Sequence, residues 1–170
     1  MPDSRLPPGP PPVRAAWVAR SDGADGMDGV DDIDGQPRRP DDAVYHTYQS
    51  DLSQVRDLVR RQAREAGLTD ARVEDLVLAV SEVAANTLRH TRSTGTLAIW
   101  HDADEVVCEV RDEGTITDPL AGRRRPPPDA SGGHGLWLVR QVCDLVELTS
   151  DASGTTIRMH MARRARETAG

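Results

Sequence analysis

Residues 81–90 read SEVAANTLRH. They lie inside a longer helical pattern. Val73, Leu76, Val77, Val80, Val83, Ala84 and Thr87 recur at a period near 3.6 and make its apolar stripe. Glu82, Asn86 and His90 fall one turn apart on the same helix. At about 100° per residue they form one row, roughly 80–160° from the apolar stripe, so they are not core residues. A solvated polar face accounts for Glu82, a good helix former. It accounts less well for Asn86, whose amide competes for backbone hydrogen bonds in mid-helix.

Before this helix, DLSQVRDLVRRQAREAG (51–67) spaces Leu52, Val55, Leu58, Val59, Ala63 and Ala66 as another helix. Asp51 is its expected cap, with Gln54 reaching back, and Gly67 its expected stop. Thr69 caps the second helix, with Leu68 and Val73 as a hydrophobic staple. VYHTYQ (44–49) reads as a short strand. After RSTG the period changes to two. TLAIWHD and EVVCEVRDEG read as paired strands joined by a polar turn, and VELTSD and TTIRMHM as a second pair around the turn ASG. Between the pairs come a Pro/Gly/Arg loop and the helix LWLVRQVCDLV. Two strand pairs with helices predict an α/β (α+β) two-layer sandwich: a mostly antiparallel sheet with helices on one face.

Composition narrows the function. The chain has 170 residues, a net charge of −7 and no lysine among its 21 basic residues. An acidic chain lacks the basic footprint of nucleic-acid binding. Without lysine there is neither a phosphate-loop lysine nor Schiff-base chemistry. Cys108 and Cys143, each among apolar residues, read as buried hydrophobes in a reducing cytoplasm. No run of apolar residues is long enough for a membrane span, and the N-terminal stretch, without an apolar signal core, is not expected to act as an export signal. Residues 1–42, rich in Pro, Gly and Asp, read as a disordered tail. They are followed by one domain over 43–162 and a short tail over 163–170. DDIDG does not fit a calcium loop, because alignment puts Val30 at the first ligand position and Pro37 inside the loop. VRAAWVAR around Trp17 reads as an incidental apolar island, with a docking motif as the alternative.

Three motifs accompany the polar row. RDEG (111–114) ends a strand with a carboxylate. Gly114 lets the backbone approach a flat ligand, and an ionised Asp112 is acceptor-only, which suits a purine amino group. SGGHGL (131–136) opens a helix whose exposed amides favour phosphate. It is not a dinucleotide fingerprint: a Pro-rich loop precedes it, and Leu138 holds the third glycine position. GTTIR (154–158) begins the last strand.

In this order the four motifs resemble the GHKL-type, histidine kinase-like ATP-binding fold. They look most like its anti-sigma factor branch of serine/threonine kinases. The resemblance covers about residues 44–161. It implies that Asn86 ligates Mg²⁺, that Glu82 orients or deprotonates a partner's hydroxyl, and that Asp112 accepts from adenine with Gly114 beneath the base. It implies that Gly133 and Gly135 lie along the ATP phosphates, with Leu136 in the cofactor-binding set, and that Thr156 backs the adenine site. His90 is left a structural contact. The implied partners are a sigma factor and an anti-sigma antagonist protein, with a homodimer as the branch's frequent state. Two positions depart from the branch: Ile116 replaces a second glycine in DEGTIT, and Ala130 stands where some members have arginine. Arg123, Arg124 and Arg125 in the preceding loop read as a solvated charge run, with substitution for that arginine as the alternative. The alternatives are a partner-sequestering regulator that keeps the fold with weak or no catalysis, and a kinase core split from a sensor histidine kinase. The second needs a phosphoacceptor-histidine helix pair, which the stretch before the first helix does not supply.

Overall fold

The structure, a computed structural model, describes residues 39–91, 94–118 and 121–163. The element order is β1 (Val44–Tyr48), α1 (Ser53–Glu65), α2 (Asp70–His90), β2 (Gly95–His101), β3 (Glu105–Asp112), α3 (His134–Val142), β4 (Leu145–Asp151) and β5 (Gly154–Ala162). The strands form one sheet in the order β1-β2-β3-β5-β4. Every neighbouring pair is antiparallel. The expected two-layer α/β sandwich is therefore present, with a wholly antiparallel sheet. The expected tail over 1–42, the DDIDG stretch and the Trp17 island lie almost entirely outside the described residues.

α1 ends in a complete turn motif. Leu68 N–H donates to the carbonyl of Ala63 and Gly67 N–H to that of Arg64. Gly67, at φ 85°, supplies the left-handed residue this reversal requires. At the helix start, Asp51 acts from one residue further out than expected. Leu52 holds the cap position, while the Asp51 carboxylate accepts from Ser53 N–H and its hydroxyl. Thr69 caps α2 as expected, accepting from Arg72 N–H at 3.4 Å.

α2 lies between α1 and α3 and over β2, β3 and β5. Its whole expected stripe, Val73 to Thr87, is buried. The stripe meets the inward side chains of the sheet, among them Leu97, Ile99, Val106, Cys108, Val110, Ile157, Met159 and Met161. Cys108 and Cys143 are unbridged and buried. Burial pushes both thiols up, Cys143 to about 12. The other sheet face carries charge. Glu109 receives Arg158 at 2.6 Å, and Arg39, just ahead of β1, reaches the same carboxylate. His160 bridges Glu105 at 2.9 Å and Glu147 at 3.1 Å. No helix among the described residues is long and apolar enough to cross a membrane.

Candidate functional site

The C-terminal half of α2, the end of β3, the start of α3 and the start of β5 enclose a cavity of about 700 Å³. That is the size of an ordinary small-molecule site. Glu82 and Asn86 line it from the polar row of α2, and His90 stands exposed at its edge. Asp112 and Gly114 line it from the end of β3, and Gly133, Gly135 and Leu136 from the start of α3. Residues far apart in the chain thus share one hollow.

Each wall has a local cause. Gly133 adopts φ 84° at the N-cap of α3, which carries no side-chain cap, so the turn is made by a residue without a Cβ. Gly135 sits where a Cβ would come within 2.9 Å of Glu82 Oε2. The glycine therefore lets α3 pack against the polar row of α2. Gly154, at φ 131°, would put a Cβ 2.1 Å from the Asp112 carbonyl oxygen, so β5 begins directly against the strand that carries Asp112.

Asp112 is held on both oxygens. Gly114 N–H donates to Oδ1 at 2.8 Å and the Thr87 hydroxyl to Oδ2 at 2.7 Å. The loop after it is pinned by a directed chain. Ile116 N–H donates to Ser150 Oγ at 2.8 Å. Ser150 and Thr155 hydroxyls are 2.7 Å apart, and Thr155 donates to the Gly114 carbonyl at 2.8 Å. Since Thr155 spends its one proton on Gly114, Ser150 is the donor to Thr155. Ile116 packs against the core from this fixed loop and lines the cavity.

Two sequence expectations shift here. Thr156 is not among the cavity-lining residues, and Thr155 is. Adjacent strand residues point to opposite faces, so one register step moves the side chain out of the site. Arg123, Arg124 and Arg125 do not line the cavity either, and Arg125 lies over the Trp137 ring at 5.4 Å. The arginine that does line it is Arg89, which sequence reading passed over. Its guanidinium donates to Asn86 Oδ1 at 2.9 Å. The i, i+3 spacing from Asn86 was the available signal.

A histidine kinase-like ATPase domain family matches residues 47–161. The chain belongs to that family. No curated protein matches it. Among solved structures, this family member is similar to the crystal structure of the RsbU and RsbW domains of Rv1364c from Mycobacterium tuberculosis, at 22% identity and a TM-score of 0.54. That similarity covers 77% of this chain and 35% of the other, so the chain spans about a third of that structure's length, and the likeness is one of fold.

The cavity suits the nucleotide of a histidine kinase-like ATPase. It holds an oriented acceptor at Asp112, glycines where side chains would intrude, and helix-start backbone beside the side-chain amide of Asn86. No cluster of three or more His, Cys, Asp or Glu suited to a metal exists among the described residues. A metal here fits the Mg²⁺ pattern, in which one or two protein oxygens act together with phosphates and water.

Proposed function

We propose that the protein is an ATP-dependent serine/threonine protein kinase of the anti-sigma type, which transfers phosphate to an anti-sigma antagonist protein and also binds a sigma factor. What carries the reading is the convergence in one cavity of Asp112 and Gly114, Asn86, Glu82, and the start of α3. In this reading Asp112 accepts from the adenine amino group and Gly114 lets the base lie against backbone. The uncapped amides at the start of α3, around Gly133, Gly135 and Leu136, receive phosphate oxygens. Thr155 takes the place assigned to Thr156: it fixes the Gly114 carbonyl and thereby the floor of the base site.

Asn86 offers its amide oxygen to Mg²⁺, and Arg89, which holds that oxygen in the present structure, gives way. When bound, the metal neutralises charge on the phosphate oxygens. Glu82 takes the proton of the partner's serine or threonine hydroxyl as that oxygen bonds to the γ-phosphorus and the bond to ADP breaks. A positioned carboxylate in this role contributes on the order of 10²–10⁴-fold.

The test is transfer of radiolabelled γ-phosphate from ATP to candidate antagonist proteins. Glu82→Ala is expected to lower transfer by about 10²–10⁴-fold while ATP binding persists. Asn86→Ala is expected to lose both metal-dependent binding and transfer. Equal transfer by Glu82→Ala and wild type would contradict the assignment. The second reading, a regulator that keeps nucleotide and sequesters a partner without transfer, is favoured by Ile116, by Ala130 and by an arginine loop outside the cavity lining. ATP binding without transfer to any antagonist supports it.

A further inference from the structure

Thr87 falls in the buried stripe of α2, where a valine or alanine would pack. A hydroxyl there is costly unless bonded. Thr87 is 1% exposed, yet its Oγ1 lies 2.7 Å from Asp112 Oδ2 and 3.5 Å from the Val83 carbonyl. Its one proton goes to the nearer, carboxylate acceptor. Behind it, the Tyr48 hydroxyl donates to Thr87 Oγ1 at 3.2 Å. Tyr48 is 3% exposed. Burial, joined by the negative Asp112, pushes its phenol up to about 12, so it remains a donor at neutral pH. The ring needs room: Tyr48 pairs with Gly95 across β1 and β2, and a Cβ on Gly95 would come within 2.3 Å of the phenol oxygen. Three elements thus meet to aim two hydroxyls in series at one carboxylate.

We propose that Tyr48 and Thr87 are positioning residues that set base selectivity by orienting Asp112, an inference that rests on the nucleotide reading above. Each oxygen of Asp112 already accepts one donor, from Thr87 and from Gly114. The carboxylate plane is thereby fixed, and what it still offers the cavity is acceptor capacity alone. A purine with an exocyclic amino group satisfies that capacity. A base lacking the amino donor leaves it unmet, and the relay holds the carboxylate from turning away.

The experiment compares binding of ATP and of purine riboside triphosphate, which lacks the 6-amino group, to the full chain by calorimetry. Thr87→Val removes the hydroxyl at constant shape, Thr87→Ser retains it, and Tyr48→Phe removes only the outer donor. ATP affinity is expected to fall about tenfold in Thr87→Val and about threefold in Tyr48→Phe, with Thr87→Ser near wild type. Affinity for purine riboside triphosphate is expected to be unchanged in all three. Thermal melting checks folding, and Tyr48→Phe carries the test if Thr87→Val does not fold. ATP binding by wild type with parallel losses for both nucleotides, or with no loss in either variant, overturns the inference alone. Absence of ATP binding by wild type overturns the nucleotide reading and this inference with it.

Discussion

At the scale of single residues, the site is shaped by what is missing as much as by what is present. Gly135 leaves the space into which Glu82 points, and the one tight approach of a Cβ there would be to the far end of a flexible side chain, at 2.9 Å. Gly135→Ala is therefore expected to change stability by less than about 1 kcal/mol. It is expected to cut phosphate transfer by about 10–100-fold, because the carboxylate is displaced from where it would take the proton of the attacking hydroxyl. Denaturant titration beside the transfer assay separates the two effects. Gly154 is the opposite case. Its φ of 131° and the backbone contact at 2.1 Å leave no side chain to move aside. Gly154→Ala is expected to cost about 1–3 kcal/mol, read by denaturant titration, and to weaken ATP binding by shifting Asp112. That Glu82, Asn86 and Asp112 stand apart from the core was legible in the sequence, because helical periodicity and a strand end fix where their side chains go, and all three line the cavity. Thr87 was not. Its spacing matches the apolar stripe, and its partners Tyr48 and Asp112 are 39 and 25 residues away in sequence.

At the scale of elements, the sheet has two different faces. The helix-covered face is apolar. The other face carries a charge ladder across β3, β5 and β4, with Glu109 and Arg158 at its centre and Arg158 over the Trp100 ring at 5.4 Å. The side chains of Glu109 and Arg158 are only 1% and 6% exposed. Glu109→Ala deprives Arg158 of its nearest carboxylate and leaves Glu147 at 3.8 Å. Loss of about 3 kcal/mol is expected in chemical denaturation, the low end for a broken buried pair. His160 adds a pH dependence. Burial alone would lower its pKa, but the hydrogen bonds to Glu147 and Glu105 raise it above its ordinary 6.5. The His160 bond in turn holds Glu147 below its ordinary 4.5. The His160 contribution is complete below 6.5 and fades as pH rises through the raised folded value. The Glu147 contribution is complete above 4.5 and fades as pH falls. The stability difference between wild type and His160→Asn is therefore expected to be largest between about pH 4.5 and 6.5 and to shrink above neutrality. A pH series of denaturant titrations reads it.

The elements themselves were readable. The expected helices and strands all exist, and most bounds moved by only a residue or two. The structure departs from expectation where one step changes meaning. Thr156 and Thr155 are neighbours, but strand alternation gives them opposite faces. Asp51 was expected at the cap of α1 and sits one residue outside it. Strand order was not readable, because β3 pairs with β5 rather than β4, and no local signal carries a pairing across α3.

At the scale of the molecule, four separated motifs reach one cavity because α2 spans the sheet between α1 and α3. Its C-terminal half faces both the end of β3 and the start of α3, so one helix presents Thr87 to Asp112 and Asn86 and Glu82 to the glycine-rich turn. From that arrangement we propose that the cavity is an ATP site whose metal is held through Asn86. Isothermal titration calorimetry of the purified full chain with ATP, with and without Mg²⁺, tests it most directly. Saturable binding at one site per chain is expected, strengthened by Mg²⁺, with the metal effect lost in Asn86→Ala and ATP binding greatly weakened in Asp112→Ala. No binding by wild type, or binding indifferent to both substitutions, would contradict it.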